Sequence, residues 1–302
     1  VEIIKEISLG KIKGLYVQGE NPAMSDPDQI HSRKALAKLE HLVVQDIFMT
    51  ETAWNADIIL PASAHAEKTG TYTNTNRQVQ IGRAVVEPPK EVRQDWWIIQ
   101  EIAKRMGLGW DYKSPKDIFD EMKLVMPSLD NISWERLEKD NHVTYPVKSE
   151  LIPGEDIIFT NGFPTSNNLA KIIPVNLINP NDELNSDFPL ILSTGRLLEH
   201  WHTGTMTRRA LVLNELEPDP MIFMSQVDSN FYNLDLNKSV IIETRRGKIS
   251  IKIRHDDDLL PGMIFLPFCF KEAAANILTN SDLDPIGKIP ELKFSAARVY
   301  QN

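Results

Sequence analysis

The chain has 302 residues, 42% hydrophobic and 25% charged, a composition typical of globular proteins with room for two domains. No apolar run approaches the roughly 18 residues that a membrane-spanning helix needs. The 42 acidic and 33 basic side chains give a net charge of −9, which argues against a general nucleic-acid binder. The single cysteine, Cys269, excludes an internal disulfide, a multi-cysteine zinc site and a self-contained iron–sulfur cluster. We therefore expect a cytoplasmic protein with no membrane span and no nucleic-acid partner.

The first hundred residues alternate between short apolar strands and helices. Strands are predicted at 14–17, 41–44 and 57–61, with helices at about 25–39 and 50–56 between them. This alternation indicates an α/β domain with a parallel sheet. Ligands of such sheets bind beyond the carboxyl ends of the strands, which is where the Gly19-Glu20-Asn21-Pro22 turn and Gln45-Asp46 fall. Further helices are predicted at 92–106, 114–126 and 133–139.

A stretch rich in Pro and Asn, residues 151–187, shows no sustained period and is predicted to be a linker. Six strands are predicted after it, at 189–193, 220–225, 239–244, 248–254, 263–268 and 293–299. Short strands with turns between them favour a small β-barrel. The predicted organisation is therefore an α/β domain over 1–150, a linker over 151–187 and a β-barrel domain over 188–302.

Several common catalytic motifs are missing from the chain. It contains no G-x-G-x-x-G after a strand, no P-loop motif, no C-x-x-C, no H-E-x-x-H and no G-x-S-x-G. The chain therefore lacks the usual signatures of nicotinamide dehydrogenases, P-loop NTPases, zinc hydrolases and serine hydrolases.

One polar segment, residues 193–209, directly follows a predicted strand and concentrates hydroxyls, two glycines, two histidines and three arginines. Glycines allow the backbone to approach a ligand closely, and arginines bind phosphate through paired hydrogen bonds. The segment therefore indicates an anion-binding site. The alternative is a polar surface loop with exposed arginines and a packed tryptophan.

Five segments of the chain together carry a resemblance to a known family, and they keep their order along nearly the whole chain: 44–53, 56–61, 67–74, 194–209 and 284–293. With these segments the chain resembles the C-terminal half of the catalytic subunit of molybdenum or tungsten oxidoreductases that carry a bis-molybdopterin guanine dinucleotide cofactor. The resemblance is closest to formate dehydrogenase alpha subunits. It implies that the sheet is dinucleotide-binding-like and that the barrel is double-psi-like.

The resemblance also implies a set of cofactor-binding residues. Asp46 or Asp95 would bind guanine or ribose, and Lys68 and Lys293 would face the pyrophosphate. Phe268 would pack against a pterin or guanine face, with a place in the apolar core as the alternative. The full set is Asn21, Gln45, Asp46, Lys68, Asp95, Thr194, Gly195, Arg196, His200, Trp201, His202, Thr203, Phe268, Asn276 and Lys293.

For several of these residues a structural role is the alternative. Asn21 before Pro22 would be an ordinary turn residue, and Asp95 would charge a helix N-terminus. His200 and His202 are two positions apart, a poor metal pair, so we interpret His202 as a hydrogen-bond donor or as a packing residue.

No catalytic residue and no metal ligand is assigned to this chain. The family's metal ligand, a Cys or selenocysteine, and its 4Fe-4S cysteines lie in an N-terminal half, so we expect a fragment or one half of a larger enzyme. With that half and with electron-transfer subunits it would oxidise formate to CO2 and pass electrons to iron–sulfur clusters outside this chain. The alternatives are a nitrate reductase of the same superfamily and a non-catalytic module that binds the dinucleotide cofactor.

Overall fold

The structure is a computed structural model that describes all 302 residues. The chain divides into two compact units, one formed by 1–59 together with 178–302 and the other by 60–177. These units are defined by contacts within the chain. The domain boundaries at 150 and 188, which concern function, stay predictions. None of the helices is both long and apolar enough to span a membrane.

The first unit begins with the parallel sheet. Helix α1 (Glu2–Ser8) precedes strand β1 (Gly14–Gln18), and helices α2 (Pro22–Ser25) and α3 (Gln29–Leu36) lead to strand β2 (His41–Asp46). A short 3-10 helix (Ala53–Asn55) follows, then strand β3 (Ile58–Pro61), in the order β1-β2-β3. β1 and β2 are parallel, which confirms the predicted α/β sheet.

The predicted helix at about 25–39 is wrong in its bounds: α3 is shorter, and a separate helix, α2, ends at Ser25 before it. Pro22 starts α2 at a position where its fixed φ is favourable and its missing N–H costs nothing. Asp28 then takes a left-handed conformation, with φ of 43°, and its carboxylate caps α3 by accepting from the His31 N–H at 3.3 Å.

The second unit contains three antiparallel strands and three helices. In chain order these are β4 (Gly70–Thr73), β5 (Gln78–Gly82), α4 (Asp95–Arg105), α5 (Pro115–Val125), α6 (Trp134–Asp140) and β6 (His142–Thr144). The sheet order is β4-β5-β6, and Val79, Phe119, Ile132, Leu137 and Val143 pack in its core. The helices confirm the predictions within a few residues, whereas these strands were not predicted.

No helix or strand lies between β6 and the next strand, β7 (Leu190–Gly195), so the predicted linker lacks regular structure. Within the first unit one buried carboxylate anchors its end to the barrel. Asp182 is 2% exposed and pairs with Arg245 and Arg246, and it accepts from the Ala296 N–H at 2.9 Å.

The C-terminal part of the first unit is a closed six-stranded barrel. After β7 come α7 (Leu211–Leu216), β8 (Met221–Met224), α8 (Gln226–Phe231), β9 (Val240–Thr244), β10 (Lys248–His255), β11 (Met263–Pro267) and β12 (Ser295–Gln301). The strand order is β10-β8-β11-β7-β12-β9, and alternate residues of each strand fill the interior. All six predicted strands are confirmed, and the double-psi-like topology stays a prediction.

Candidate functional site

The carboxyl ends of β7 and β11 bring two distant parts of the sequence together. The two strands are parallel, with Thr194 beside Leu266 and Gly195 beside Pro267. The Phe268 N–H donates to the Gly195 carbonyl at 3.2 Å, so this ring stands next to the segment that starts at Gly195. We call residues 194–209 the barrel loop.

An arginine between two aromatic rings forms the exposed part of the barrel loop. The Arg196 guanidinium lies 5.3 Å from the Trp201 ring centre and 5.8 Å from that of Phe268, within cation–π range. It also approaches His202 Nε2 at 3.1 Å. Burial of the imidazole, together with the positive charge of Arg196 and against the charge of Glu20, lowers the pKa of His202. The predicted residues Arg196, Trp201, His202 and Phe268 therefore form one cluster.

The buried residues of the barrel loop bind to the protein itself. His200 is 2% exposed, and its Nε2 donates to the Glu217 carbonyl at 2.8 Å. The Thr194 hydroxyl donates to the Leu292 carbonyl at 2.7 Å, and the Lys293 ammonium donates to the Thr194 carbonyl. The hydroxyls of Thr203 and Thr205 lie 3.1 Å apart.

Two glycines of the barrel loop are required by close packing. A Cβ atom at Gly195 would lie 2.4 Å from the Phe265 ring. Gly204 has φ of 74°, and a Cβ there would lie 2.6 Å from the Cys269 carbonyl oxygen. Both glycines thus allow other parts of the same chain to pack closely against the barrel loop. The role of Gly195 in binding the cofactor stays a prediction.

The edge of the parallel sheet holds three of the predicted residues. Asn21 is 6% exposed, donates to Glu51 at 2.8 Å and accepts from the Thr52 hydroxyl at 2.8 Å. Gln45 is fully buried and accepts from the Tyr16 hydroxyl. The carboxylate of Asp46 accepts from the Ile47 and Phe48 N–H groups at 2.7 and 3.2 Å.

The sheet edge and the barrel loop meet within the first unit. Asn21 Nδ2 lies 3.5 Å from the Thr205 hydroxyl. Arg209 donates to the carbonyls of Thr205 and Met49, the latter at 3.3 Å, and stacks 4.7 Å above the Phe48 ring. Sequence reasoning included Arg209 in the polar segment but did not select it, and it missed Glu51. The contact of Arg209 with Met49 joins residues 160 positions apart, and that of Glu51 with Asn21 joins residues 30 positions apart.

Three further predicted residues bond to the protein itself. Asn276 is 4% exposed, donates to the Met24 and Ser25 carbonyls at 3.0 and 2.9 Å and accepts from Thr279. Lys68 and Asp95 belong to the second unit and form an ion pair with each other. The cofactor contacts of these three residues stay predictions.

The chain holds no group of three or more His, Cys, Asp or Glu side chains arranged to bind a metal ion. Cys269 is 2% exposed, and burial raises the pKa of its thiol to about 12, so it is protonated at neutral pH. This thiol behaves as a small apolar side chain of the core.

Two family models match the sequence. The model described as molybdopterin oxidoreductase matches residues 1–105, and the model described as molydopterin dinucleotide binding domain matches residues 190–296. Each covers one of the two regions that form the sheet edge and the barrel loop.

Curated relatives match nearly the whole chain. The F420-dependent formate dehydrogenase subunit alpha of Methanocaldococcus jannaschii is 44% identical over 95% of this chain and 43% of its own length. Formate dehydrogenase H of Escherichia coli is 32% identical over 96% of this chain and 41% of its own length. The assimilatory nitrate reductase catalytic subunit of Bacillus subtilis is also 32% identical, over 99% of this chain and 43% of its own length.

Among solved structures, acetylene hydratase from Pelobacter acetylenicus matches with a TM-score of 0.77 and 20% identity. The match covers 99% of this chain and 46% of the hydratase, which shows a shared fold. The chain thus spans less than half the length of these relatives.

Proposed function

Because this chain belongs to the molybdopterin oxidoreductase family, we propose that it is the cofactor-binding C-terminal part of a formate dehydrogenase. The cofactor would be bis-molybdopterin guanine dinucleotide with molybdenum or tungsten. The observation that carries the proposal is the meeting of the sheet edge and the barrel loop, through Asn21, Thr205 and Arg209, in one compact unit. Each half of that meeting point comes from one of the two matched regions.

The residues present fit an anionic, aromatic cofactor. Arg196 and Lys293 are exposed and positively charged, and the structure shows no carboxylate paired with either side chain. Arg196 already makes cation–π contacts with two aromatic rings, and a pterin or guanine ring could be bound through the same kind of stacking. We assign Arg196 and Lys293 to the pyrophosphate and Phe268 and Trp201 to a ring face.

The chain's own residues would bind and orient the cofactor rather than carry out the redox step. When bound, the cofactor supplies the two-electron oxidation of formate to CO2 and a proton. We propose that the metal ligand and a 4Fe-4S cluster lie in an N-terminal half or partner subunit. Electron-transfer subunits would receive the electrons, in keeping with the alpha-subunit names of the methanogen relatives.

The relatives include enzymes named for two different substrates, formate and nitrate. Three formate dehydrogenase alpha subunits match at 38 to 44% identity, which favours formate. A nitrate reductase matches at 32%, the same value as formate dehydrogenase H, so nitrate is the second candidate.

The test is to purify the full-length protein that contains this chain from its source. Metal content would be measured by mass spectrometry and GMP after acid hydrolysis, followed by formate oxidation and nitrate reduction with viologen dyes. We expect molybdenum or tungsten, GMP in twofold excess over metal, and formate oxidation. Nitrate reduction without formate oxidation would show that the substrate is nitrate. Absence of both metal and GMP would contradict the enzyme and favour a non-catalytic module.

A paired substitution tests the residue assignment in the same preparation. Arg196→Gln removes the exposed guanidinium, and we expect it to lower the GMP content per protein several-fold. Arg105→Gln is the matched control, because Arg105 is an exposed arginine of the second unit bound only to Glu101. Equal GMP content in the two variants would contradict a cofactor contact by Arg196.

A further inference from the structure

A polar pocket of about 320 Å³ lies beside the barrel loop in the first unit. Its size is in the range of small-ligand sites. Only Thr203 of its lining belongs to the cofactor-binding residues predicted from the sequence. The lining residues are Glu51, Thr203, Gly204, Thr205, Arg208, Arg209, Asn214, Cys269, Lys271 and Glu272.

Two of the three positive charges in this pocket have no carboxylate partner. Arg208 pairs with Glu272 at 3.3 Å and is neutralised. Arg209 donates only to backbone carbonyls, which leave its charge uncompensated and three of its five N–H donors uncommitted. Lys271 is exposed and has no carboxylate within 4.0 Å. The pocket therefore offers two cations with donors to spare.

The same pocket also contains one acceptor that lacks a donor and one carboxylate that lacks a cation. Asn214 Oδ1 is shielded from solvent and accepts no hydrogen bond within the chain. A buried acceptor without a partner destabilises the folded state, so such atoms are rare in folded proteins. The Glu51 carboxylate accepts from Asn21 at 2.8 Å and has no cation partner. A ligand that carried both negative charge and an O–H group would satisfy these cations and acceptors together.

We infer that this pocket binds an oxyanion of the hydrogen-phosphate type, with Arg209 and Lys271 donating to its oxygens and Asn214 Oδ1 accepting from its hydroxyl. This anion site is argued from the pocket residues alone, so it does not depend on whether the protein oxidises formate. The same chemistry is available from two sources, a small free oxyanion and the phosphate of a bound dinucleotide cofactor. Residues 203–205 would add hydroxyl and N–H donors from the barrel loop.

The probe is inorganic phosphate, measured by calorimetry on the full-length protein. One preparation contains the cofactor, and a second comes from a host unable to make it. We expect Lys271→Gln to weaken phosphate binding about tenfold, the usual loss of one charge-assisted hydrogen bond. Lys271→Arg should restore it to within about twofold because the charge is kept. Lys252→Gln, an exposed lysine on β10, is the matched control and should bind like the unaltered protein.

A second substitution separates binding from folding. Asn214→Leu removes the unpartnered oxygen, so the protein without phosphate should melt at the same or a higher temperature. The rise in melting temperature on adding phosphate should be lost. A melting temperature that still rises as in the unaltered protein would overturn the role of Asn214.

The two preparations identify the source of the anion. A free oxyanion predicts phosphate binding with and without cofactor. A cofactor phosphate predicts binding only without cofactor, together with reduced GMP content in Lys271→Gln. Absence of phosphate binding in both preparations, or binding and GMP content unchanged in Lys271→Gln, would overturn the inference. Formate oxidation in phosphate-free buffer tests the proposed function separately.

Discussion

The buried and exposed polar residues of the candidate site differ in how their hydrogen bonds are satisfied. Asn21, Thr194, His200 and Asn276 are at most 6% exposed, and each bonds to a backbone carbonyl or a neighbouring side chain of this chain. Arg196, Trp201, His202, Lys271 and Lys293 are exposed, and their polar groups keep donors to spare. The polar residues of the candidate site therefore divide into a buried frame and an exposed binding face.

The physical reason for this division decides what substitutions do. A buried polar group that loses its partner costs stability, because water cannot replace the lost bond. An exposed charge near a surface contributes little to folding, because water and salt screen it. We therefore expect frame substitutions to change stability and binding-face substitutions to change ligand binding.

The largest effect is expected at Asn276. Asn276→Ala removes the donor that satisfies the Met24 and Ser25 carbonyls, and it also leaves the Thr279 hydroxyl without that acceptor. The loss of these buried bonds should lower the free energy of unfolding by about 2 to 4 kcal/mol, the cost of several unsatisfied buried groups. Urea-induced unfolding followed by circular dichroism measures the change.

Asn237→Ala is the control, since this asparagine is exposed and the same side chain is removed. It should change the free energy of unfolding by no more than about 0.5 kcal/mol. Equal stability of the two variants would place Asn276 on the binding face instead of in the frame.

An effect of similar size is expected at Gly204. Gly204→Ala combines an unfavourable positive φ with a Cβ contact of 2.6 Å to the Cys269 carbonyl oxygen. We expect a loss of about 2 to 4 kcal/mol, of which the left-handed backbone accounts for about 1 to 2. Thermal and urea-induced unfolding measure it.

Gly262→Ala measures separately the cost in free energy of unfolding that comes from the positive φ alone. Gly262 has φ of 87° and no atom within 4 Å of the Cβ position, so only the conformational cost applies. A loss at Gly204 no larger than that at Gly262 would show that the loop moves away from Cys269 at no cost.

Hydrophobic patterning predicted the barrel strands and the helices of the second unit well, but it did not predict the strands of the second unit. Val240 and Ile242 are fully buried whereas Ile241 is half-buried, and this alternation made β9 visible in the sequence. In β4, all three side chains of Thr71, Tyr72 and Thr73 are half-buried or exposed, so no such alternation marked the strand. A local signal was the pair of asparagines, Asn74 and Asn76, in the turn that joins β4 to β5.

The same limit applies to the site. The barrel loop was predicted because its polar residues are contiguous in the sequence. Arg209 and Glu51 were missed as site residues because their neighbours are set by the fold, which brings Met49 to Arg209 and Asn21 to Glu51. The burial of Asn276 was equally hidden, since its partners Met24 and Ser25 are about 250 positions away.

The smallest effect is expected at His202, on the exposed binding face. Its folded-state pKa is lowered from the ordinary 6.5, first by burial and then by Arg196. As the pH falls below 6.5, the unfolded protein therefore takes up this proton before the folded protein does, and the folded state loses stability. His202→Gln should remove that loss, which urea-induced unfolding at a series of pH values measures. Arg196→Gln should raise the His202 pKa toward 6.5, which NMR titration of the imidazole measures. Arg298→Gln, which removes a guanidinium bound to Glu243, should leave the His202 pKa unchanged. A His202 pKa at or above 6.5 in the unaltered protein would show that Arg196 and burial do not act on this ring, and that the binding face is more open to solvent than its contacts indicate.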